Sequence, residues 1–308
     1  MKKKNGEKMN WTTEKQGKAV VPNDDNEEKS FFEIHKEKIL AQVQARMERD
    51  KTYLACSITG QPKVGKTGLA IDCRTQEEID EGYKILVLDY DDGAEPTWDS
   101  CWDRDPNIVI YCPTEYRRDG AIDWDASFRN GRAFCRLAEE MIEDPNEKVK
   151  AFVLDGVDKI AEGSSDVLRD HLVKQQTREG AIILPTDSVK VNPLDWKIRN
   201  RVYNRLMDLV LKLEVNRFLI THMKPVYGDG IMNPTPIGWE PDWLKQTPAR
   251  FNQMIHIDKE QKEGATNYVA QLVASKTNSD LVGKKWLFFT TNGDNTWESI
   301  TEIQQGTI

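Results

Sequence analysis

The residues of this chain that are best suited to chemistry lie in one short segment that contains two glycines. The segment reads Gly60-Gln61-Pro62-Lys63-Val64-Gly65-Lys66-Thr67 and matches G-x-x-x-x-G-K-[ST] at every fixed position. An apolar run precedes it and an amphipathic stretch follows it, which is the strand–loop–helix context that makes this pattern specific. We therefore predict a loop whose backbone N–H groups, up to that of Gly68, surround the phosphates of a nucleoside triphosphate.

Two side chains of this loop have predicted roles of their own. Lys66 is expected to reach the β- and γ-phosphates, and the hydroxyl of Thr67 is expected to bind Mg²⁺. The partner of Thr67 in such a site is an acidic residue that ends a buried strand. The run Ala-Phe-Val-Leu-Asp ends at Asp155, which we predict to hold the ion through water. Asp158, which lies beyond this strand, is expected to face solvent.

A second acidic strand end offers a residue to orient an attacking water molecule. The run Ile-Leu-Val-Leu-Asp ends at Asp89, and three further carboxylates follow at Asp91, Asp92 and Glu95. Charges so close together repel one another unless a cation or solvent screens them, so a solvated acidic loop is the alternative interpretation. Under the functional interpretation, Asp91 orients the water.

A third polar strand end is Thr221-His222, which closes the apolar run Asn-Arg-Phe-Leu-Ile. Polar residues at the end of a central parallel strand point to the carboxyl edge of the sheet, where ligands of open α/β sheets bind. His222 is therefore a candidate sensor of the γ-phosphate. An ordinary strand-end cap is the other interpretation, and the sequence leaves both open.

These residues need a scaffold of strands and helices, and the hydrophobic pattern supplies one. Apolar runs predict strands at 53–59, 84–90, 107–112, 150–155, 216–221, 251–257, 267–274 and 286–290. Longer periodic segments predict helices at about 67–80, 124–143, 157–177 and 195–214. Several of the first five strands are apolar throughout, as buried parallel strands are. The pattern predicts an α/β fold with a doubly wound, mostly parallel sheet and an antiparallel C-terminal portion.

Length and composition limit the possible classes of protein. The chain has 308 residues and a net charge of -8, so a basic surface over the whole molecule is excluded. No apolar run approaches the ~20 residues of a membrane span, and the start lacks a signal peptide, so we expect a cytoplasmic protein without a membrane partner. The five cysteines are expected to be buried free thiols, and a metal-cluster protein is excluded.

The same patterns predict how the chain is organised. Residues 1–30 are polar and predict a disordered tail. Residues 31–50 predict an amphipathic helix that docks on the main domain or on a neighbouring subunit. Residues 51–300 form the predicted ATPase core, and 301–308 a C-terminal tail.

The order of these features resembles the core of RecA-like P-loop ATPases. A phosphate-binding loop, an acidic strand end, a second acidic strand, a helix, a polar-ended strand, a long loop and two further strands follow one another over about residues 50–290. The chain is shorter than bacterial RecA and is most similar to the short RecA-core ATPases of bacteriophages, which include recombination and single-strand annealing accessory proteins. The resemblance implies Mg²⁺-dependent ATP hydrolysis, a ring or filament of identical subunits, and action on single-stranded DNA in phage recombination or replication.

The resemblance also implies roles for particular residues. Asp91 falls where the family has the catalytic glutamate of its D-x-E pattern. Thr221-His222 falls where it has the Asn-Gln pair that senses the γ-phosphate, so His222 takes the relay role. Lys276 matches one of two lysines that reach the nucleotide of the neighbouring subunit, whereas Ala274 stands at the position of the other. The expected catalytic residues are therefore Lys66, Asp91 and His222.

Two segments are expected to contact single-stranded DNA, because they combine cations with aromatic rings. The first spans 174–201 and contains Lys174, Arg178, Lys190, Trp196, Lys197, Arg199 and Arg201. The second spans 223–250, is predicted to lack regular structure, and contains Lys224, Tyr227, Trp239, Trp243, Lys245 and Arg250. The second segment also holds three acids, so its own charge is close to zero. Protein contacts are the alternative for both segments.

Two other functions remain open at the level of the sequence. One is a nucleotide-dependent oligomeric scaffold, because Asp91 is shorter than the glutamate that the family has there. The other is a helicase or loader-type ATPase without intrinsic DNA specificity. A single-strand-binding protein is an expected partner under the main interpretation, with the host cytoplasm as the location if the chain is phage-encoded.

Overall fold

The computed structural model describes residues 31–47, 53–178, 189–227, 236–262, 265–276 and 279–290. The chain divides into two units, 1–52 and 53–308. Helix α1 (Phe31–Met47) is the described element of the first unit. Its docking stays a prediction, and both predicted tails lie outside the described residues.

The second unit is built on a nine-stranded sheet. The strands are β1 (Ala55–Gly60), β2 (Lys84–Asp89), β3 (Ile108–Tyr111), β4 (Val149–Asp155), β5 (Asn216–Tyr227), β6 (Pro236–Pro241), β7 (Gln253–Lys262), β8 (Ala265–Ser275) and β9 (Lys285–Thr290). Their spatial order is β3-β2-β4-β5-β1-β7-β8-β9, and β6 pairs with the far end of β5. The pairs from β3 to β7 are parallel, whereas β7-β8-β9 are antiparallel. This order confirms the predicted fold class.

Six helices of the second unit pack around this sheet. They are α2 (Lys66–Ile71), α3 (Gln76–Asp80), α4 (Ala94–Trp102), α5 (Trp124–Glu143), α6 (Val157–Arg178) and α7 (Trp196–Lys212). The single helix predicted over 67–80 is two helices, because Thr75 begins a new one. Its side chain accepts from the backbone N–H of Glu78 while the Glu78 carboxylate accepts from the N–H of Thr75, which is a capping box. Helix α4 was not predicted.

Both faces of the central strands are buried, which explains their continuous apolar runs. On β2, Ile85 and Val87 belong to a core cluster that includes α2 and β7–β9. Leu86 and Leu88 point the opposite way, into a second cluster with α5, α6 and α7. Successive side chains of a strand alternate between faces, so each hydrophobic run supplies two cores at once.

Two predictions about the periphery were wrong. Residues 223–227 continue β5 and 236–241 form β6, so the predicted structureless segment 223–250 contains an antiparallel hairpin. Apolar and polar residues alternate over only a few positions in this hairpin, so the sequence pattern did not predict its strands. No disulfide joins the cysteines, but Cys101 and Cys112 are exposed rather than buried. No helix among the described residues is long and apolar enough to cross a membrane.

Candidate nucleotide site

The predicted site residues meet at the carboxyl edge of the parallel strands. Gly60, at the end of β1, lies opposite His222 of β5. Asp155, at the end of β4, lies opposite Asp89 at the end of β2. Because parallel strands all end at the same edge, residues separated by more than 150 positions come together without a long loop.

Two glycines shape the loop between β1 and α2. A Cβ atom on Gly60 would lie 2.6 Å from the carbonyl oxygen of Ile257, so only glycine lets the chain leave β1 this close to β7. Gly65 has a φ of 82°, in the left-handed region that favours glycine. Helix α2 begins directly after it, at Lys66. Each of the two fixed glycines of the motif is therefore required for a different steric reason.

The ammonium group of Lys66 is held inside this loop. Its Nζ donates to the carbonyl oxygens of Gly60 and Gln61 at 3.2 and 2.9 Å, and the residue is 5% exposed. Burial lowers the pKa of Lys66, and the nearby charges of Asp155 and Asp158 oppose that shift. The lysine thus stands over the loop, where a phosphate bound by the backbone amides would meet it.

Thr67 and Asp155 form the second contact of the loop. The Thr67 hydroxyl donates to Oδ2 of Asp155 over 2.6 Å, although 88 residues separate them. Asp155 is 3% exposed, and burial, together with the charge of Asp89, raises its pKa to about 7. A hydroxyl beside a buried carboxylate in an acidic site is a donor set that suits Mg²⁺.

Protein side chains alone do not build a cage for that ion. No group of three or more His, Cys, Asp or Glu residues among the described residues is arranged to hold a metal. Mg²⁺ in nucleotide sites is commonly held by one or two protein ligands, with waters and phosphate oxygens as the others. Thr67 and Asp155 therefore fit a nucleotide-bound Mg²⁺ and not a permanent metal centre.

The four carboxylates after β2 separate into distinct roles. Asp89 is 1% exposed, and its carboxylate accepts from the backbone N–H groups of Asp91 and Ala94, so it fixes the turn. Asp92 and Glu95 are exposed, as the solvated-loop interpretation expected. Asp91 faces the site, and burial raises its pKa against the opposing charge of His222. The structure thus brings Asp91 close to His222, and its role in orienting water stays a prediction.

His222 lies between two carboxylates. Its Nδ1 is 3.2 Å from Oδ2 of Asp158, and its Nε2 is 3.8 Å from Oδ2 of Asp91. The hydrogen bond to Asp158 raises the pKa of His222, with burial as the opposing effect. Thr221 is fully buried instead, and its hydroxyl donates to the carbonyl oxygen of Asp242 over 2.9 Å. The two side chains therefore differ: that of Thr221 is buried on Asp242, whereas that of His222 lies between Asp158 and Asp91.

Asp158 is the site residue that the sequence argument misjudged. Its side chain is 12% exposed, and Oδ1 also accepts from the backbone N–H of His222 at 3.3 Å. Burial works against its ionisation, but the hydrogen bonds and charge of His222 outweigh it and hold the pKa of Asp158 below its usual range. An acid in the first turn of α6 is a common helix signal, so nothing in the spacing marked its partner 64 residues away.

Lys276 lies away from these residues. It follows β8, and its backbone N–H donates to the carbonyl oxygen of Asn252 just before β7, at the edge of the sheet where β1 begins. Its Nζ donates to the carbonyl oxygen of Ala249 over 2.8 Å. The structure does not bring Lys276 to its own chain's phosphate loop. Its predicted role at a neighbouring subunit stays a prediction.

The described residues of the two predicted DNA segments lie mostly in helices and strands. Lys174 and Arg178 belong to α6, and Trp196, Lys197, Arg199 and Arg201 to α7; residues 179–188 and 228–235 lie outside the described residues. In the second segment the side chain of Lys224 contacts Glu240 and Asp242, and that of Arg250 contacts Asp208. Trp243 packs on Phe251, whereas Tyr227 and Trp239 are about half exposed.

Two solved structures similar to this chain are a RadB recombinase and a KaiC-like protein from the hyperthermophilic archaeon Pyrococcus horikoshii OT3. The RadB match has 14% identity and a TM-score of 0.41, and covers 76% of this chain and 87% of that one. The KaiC-like match has 14% identity and a TM-score of 0.42, and covers 79% and 88%. No protein-family model matches the chain, and no curated protein matches it significantly.

Likeness at this level does not extend to activity, so the fold assignment depends on this chain's own strand order and motif geometry. The glycine-containing loop after β1, the acidic ends of β2 and β4, and the polar pair at which the parallel part of β5 ends follow one another in the predicted order. The fold is an α/β fold with a mostly parallel sheet and an antiparallel C-terminal portion.

Proposed function

We propose that this protein is a Mg²⁺-dependent ATPase. The observation that carries the proposal is the 2.6 Å contact between Thr67 and Asp155 beside the buried Lys66. Mg²⁺ would be held by Thr67 and, through water, by Asp155, and would neutralise charge on the β- and γ-phosphates. The backbone from Gly60 to Gly68 would cradle these phosphates, and Lys66 would release its two carbonyl partners to contact them.

The three acidic and basic groups beyond the loop would serve the hydrolytic step. Asp91 would orient the attacking water, and its raised pKa brings it closer to the range in which a base is useful. His222 would contact the γ-phosphate through Nε2. Asp158 would keep that imidazole in place and protonated, because it already holds Nδ1.

The direct test is ATP hydrolysis at saturating Mg²⁺. Lys66→Gln should lower the rate by at least about 100-fold, since one positioned charge in a phosphoryl-transfer site contributes at this level. Lys148→Gln is the matched control, because Lys148 is an exposed lysine whose side chain contacts Glu81 far from the loop. Equal rates for wild type and Lys66→Gln would contradict the proposal.

We further propose that the ATPase acts as a homo-oligomer on single-stranded DNA in phage recombination or replication, in the host cytoplasm and with a single-strand-binding protein as a partner. Exposed Tyr227 and Trp239 on the β5–β6 hairpin support it, because bases stack on such rings. Lys276 would complete the nucleotide site of the adjacent subunit. ATP hydrolysis measured with and without single-stranded DNA tests this part. An equal rate in both conditions would contradict the action on DNA but not the proposed ATPase activity.

A second candidate function is a nucleotide-dependent scaffold or a helicase- or loader-type ATPase. The observation that favours a scaffold is Asp91, whose side chain is one methylene shorter than the family's glutamate. A scaffold would grow in size when ATP is added, as followed by light scattering, while turnover stays slow. An Asp91→Glu variant that hydrolyses ATP much faster than wild type would support this candidate.

A further inference from the structure

Helices α5 and α7 lie side by side on one face of the sheet, and their contact line carries a row of arginines. The Lys212 ammonium donates to the Glu139 carboxylate, a pair separated by 73 positions. Arg205 and Arg132 have the same separation and lie two turns earlier on both helices, so they flank the same line. Arg129 and Arg136 stand one turn before and after Arg132 on α5. We call Arg129, Arg132, Arg136 and Arg205 the arginine seam.

The arginines of the seam have no carboxylate partner among the described residues. None of its four guanidinium groups forms a hydrogen bond or ion pair with another part of the chain that the structure describes. By contrast, Arg104, Arg117 and Arg250 on other surfaces each contact a carboxylate. Three of the seam arginines are exposed, and Arg132 is partly buried between them.

Arg132 lies close enough to the other three arginines for their charges to act on it. Burial lowers its pKa, the nearby Tyr90 hydroxyl opposes that shift, and the charges of Arg205, Arg136 and Arg129 lower the pKa further. Like charges at neighbouring positions are destabilising. Glu139 pairs with Lys212 on this contact line, whereas none of the four seam arginines forms such an ion pair among the described residues.

An anion from outside the chain would remove this repulsion. Guanidinium groups bind phosphate through two parallel hydrogen bonds. Arg129 and Arg136 are seven residues apart on a helix, which is about 10 Å, or about three phosphates along one strand of a duplex. Four guanidinium groups without a carboxylate partner among the described residues can each bind a phosphate, and their row follows the direction of a continuous phosphate chain.

We propose that the arginine seam binds the phosphodiester backbone of a nucleic-acid strand. The seam lies outside both segments predicted to contact DNA from the sequence, so it is a separate surface. The proposal deepens the proposed action on DNA and rests on that part alone, because it does not require ATP hydrolysis.

The test is the salt dependence of binding. A fluorescent oligothymidylate and a fluorescent duplex are titrated with full-length protein between about 50 and 300 mM salt, and binding is followed by anisotropy. For Arg132→Gln/Arg205→Gln, the slope of log K against log salt should fall by about 1.4 with the single strand or about 1.8 with the duplex. Affinity should fall by at least about tenfold. The strand type whose affinity falls more in the variant identifies the ligand, because the slopes of single strand and duplex differ for any protein.

Two matched variants separate seam contacts from general charge. Arg104→Gln/Lys212→Gln removes the same charge from side chains that already have carboxylate partners, and its slope should equal that of wild type. Arg132→Lys/Arg205→Lys keeps the charge and should restore the slope while losing part of the affinity. Circular dichroism and thermal unfolding of each variant exclude misfolding as the cause.

Three results would overturn the seam proposal. The first is a seam variant with the wild-type slope, the second is an equal loss in the Arg104/Lys212 control, and the third is a wild type that binds neither oligonucleotide. A seam that instead captures an acidic peptide such as polyglutamate, with DNA binding unchanged, gives the first result. ATP hydrolysis by wild type and Lys66→Gln is measured in parallel, so failure of the ATPase is seen separately.

Discussion

At the scale of single residues, the site is organised by charges that the nucleotide and Mg²⁺ would complete. Asp89, Asp91, Asp155 and Asp158 surround Lys66 and His222, so acids outnumber bases. Ionisation is least favourable at Asp155, because its carboxylate is buried, although it accepts a hydrogen bond from the Thr67 hydroxyl. Function and stability therefore compete at Asp155.

We expect Asp155→Asn to stabilise the protein in the absence of Mg²⁺ and nucleotide. The folded pKa of Asp155 is about 7, above the ordinary value, so the folded state binds the proton more tightly and stability falls as pH rises from about 4 to about 7. Asparagine has no charge to desolvate, and the variant should gain about 1–3 kcal/mol at pH 8. Chemical denaturation at pH 4 and pH 8 measures this difference.

The same variant should lose the response to Mg²⁺-ATP. Wild-type melting temperature should rise with Mg²⁺ and a slowly hydrolysed ATP analogue, since ligands that bind only the folded state stabilise it. Asp155→Asn should respond far less. A variant that is less stable than wild type at pH 8, or that keeps the full Mg²⁺ response, would contradict this account of Asp155.

Asp158→Asn should lower the pKa of His222. The asparagine oxygen can still accept a hydrogen bond from Nδ1, but the negative charge that favours the imidazolium is removed. In wild type, the raised pKa of His222 means that its stabilising contribution is complete below the ordinary pKa of about 6.5 and is lost as pH rises through the folded value. Histidine NMR titration, with His222→Gln to assign the signal, measures the shift.

In Asp158→Asn, the alkaline limb of the ATPase profile should move to lower pH in step with the histidine signal. A purely structural role for Asp158 predicts a lower rate with an unchanged pH profile. The two outcomes distinguish a positioning residue from a packing residue.

At the scale of secondary-structure elements, the close contact between α5 and α6 requires a small residue at Gly163. A Cβ atom on Gly163 of α6 would overlap the ring of Trp124 at the start of α5. The Trp124 Nε1–H donates to the carboxylate of Asp166 on α6 over 3.2 Å, so the ring is held from two sides. The glycine is therefore a contact point between two helices and not a helix breaker.

Gly163→Ala should destabilise the protein by about 1–3 kcal/mol, because the overlap forces the helices apart. Intrinsic helix propensity alone predicts the opposite sign, a gain of about 1 kcal/mol. Glu162→Ala, at a neighbouring exposed position of α6, is the control and should change stability by less than about 0.5 kcal/mol. Urea denaturation decides, and a stabilised Gly163→Ala would show that the helices adjust freely.

At the scale of the whole molecule, the tryptophans of the second predicted DNA segment have different roles. Trp243 packs against Phe251 in a core cluster, whereas Trp239 on the β5–β6 hairpin is 53% exposed. Only an exposed ring is available to a base. The hairpin and the arginine seam are the two local surfaces that we propose for a polyanion on this acidic protein.

Trp239→Ala should weaken binding of single-stranded DNA by about 1–3 kcal/mol per stacked base and leave thermal stability unchanged. Trp243→Ala should instead destabilise the protein, by about 3–5 kcal/mol, or prevent folding. Anisotropy with an oligothymidylate and thermal unfolding measure the two effects. Wild-type DNA binding by Trp239→Ala would remove the hairpin from the proposed interface.

Much of the fold could be predicted from hydrophobic pattern because the central strands are buried on both faces. All eight predicted strands are present, and the limits of α5 match the prediction. The missed elements are α4 and β6. Helix α4 has few buried residues, with Ala94 the one that is buried, and β6 lies on a hairpin whose side chains are mostly exposed. A pattern of burial cannot reveal an element that buries little.

The sequence alone determined the phosphate loop, since glycine spacing and a following Lys-Thr are local requirements of one turn. It also singled out Asp155, which ends β4, Asp91, which lies two residues beyond β2, and His222, where the parallel pairing of β5 with β1 ends. Their roles stay predictions. Only the tertiary structure decided which neighbours they have. The contact of Asp158 with His222 and the row of arginines on α5 and α7 join residues more than 60 positions apart. Such pairs depend on how the helices pack on the sheet, and the spacing of residues in the sequence does not predict that packing.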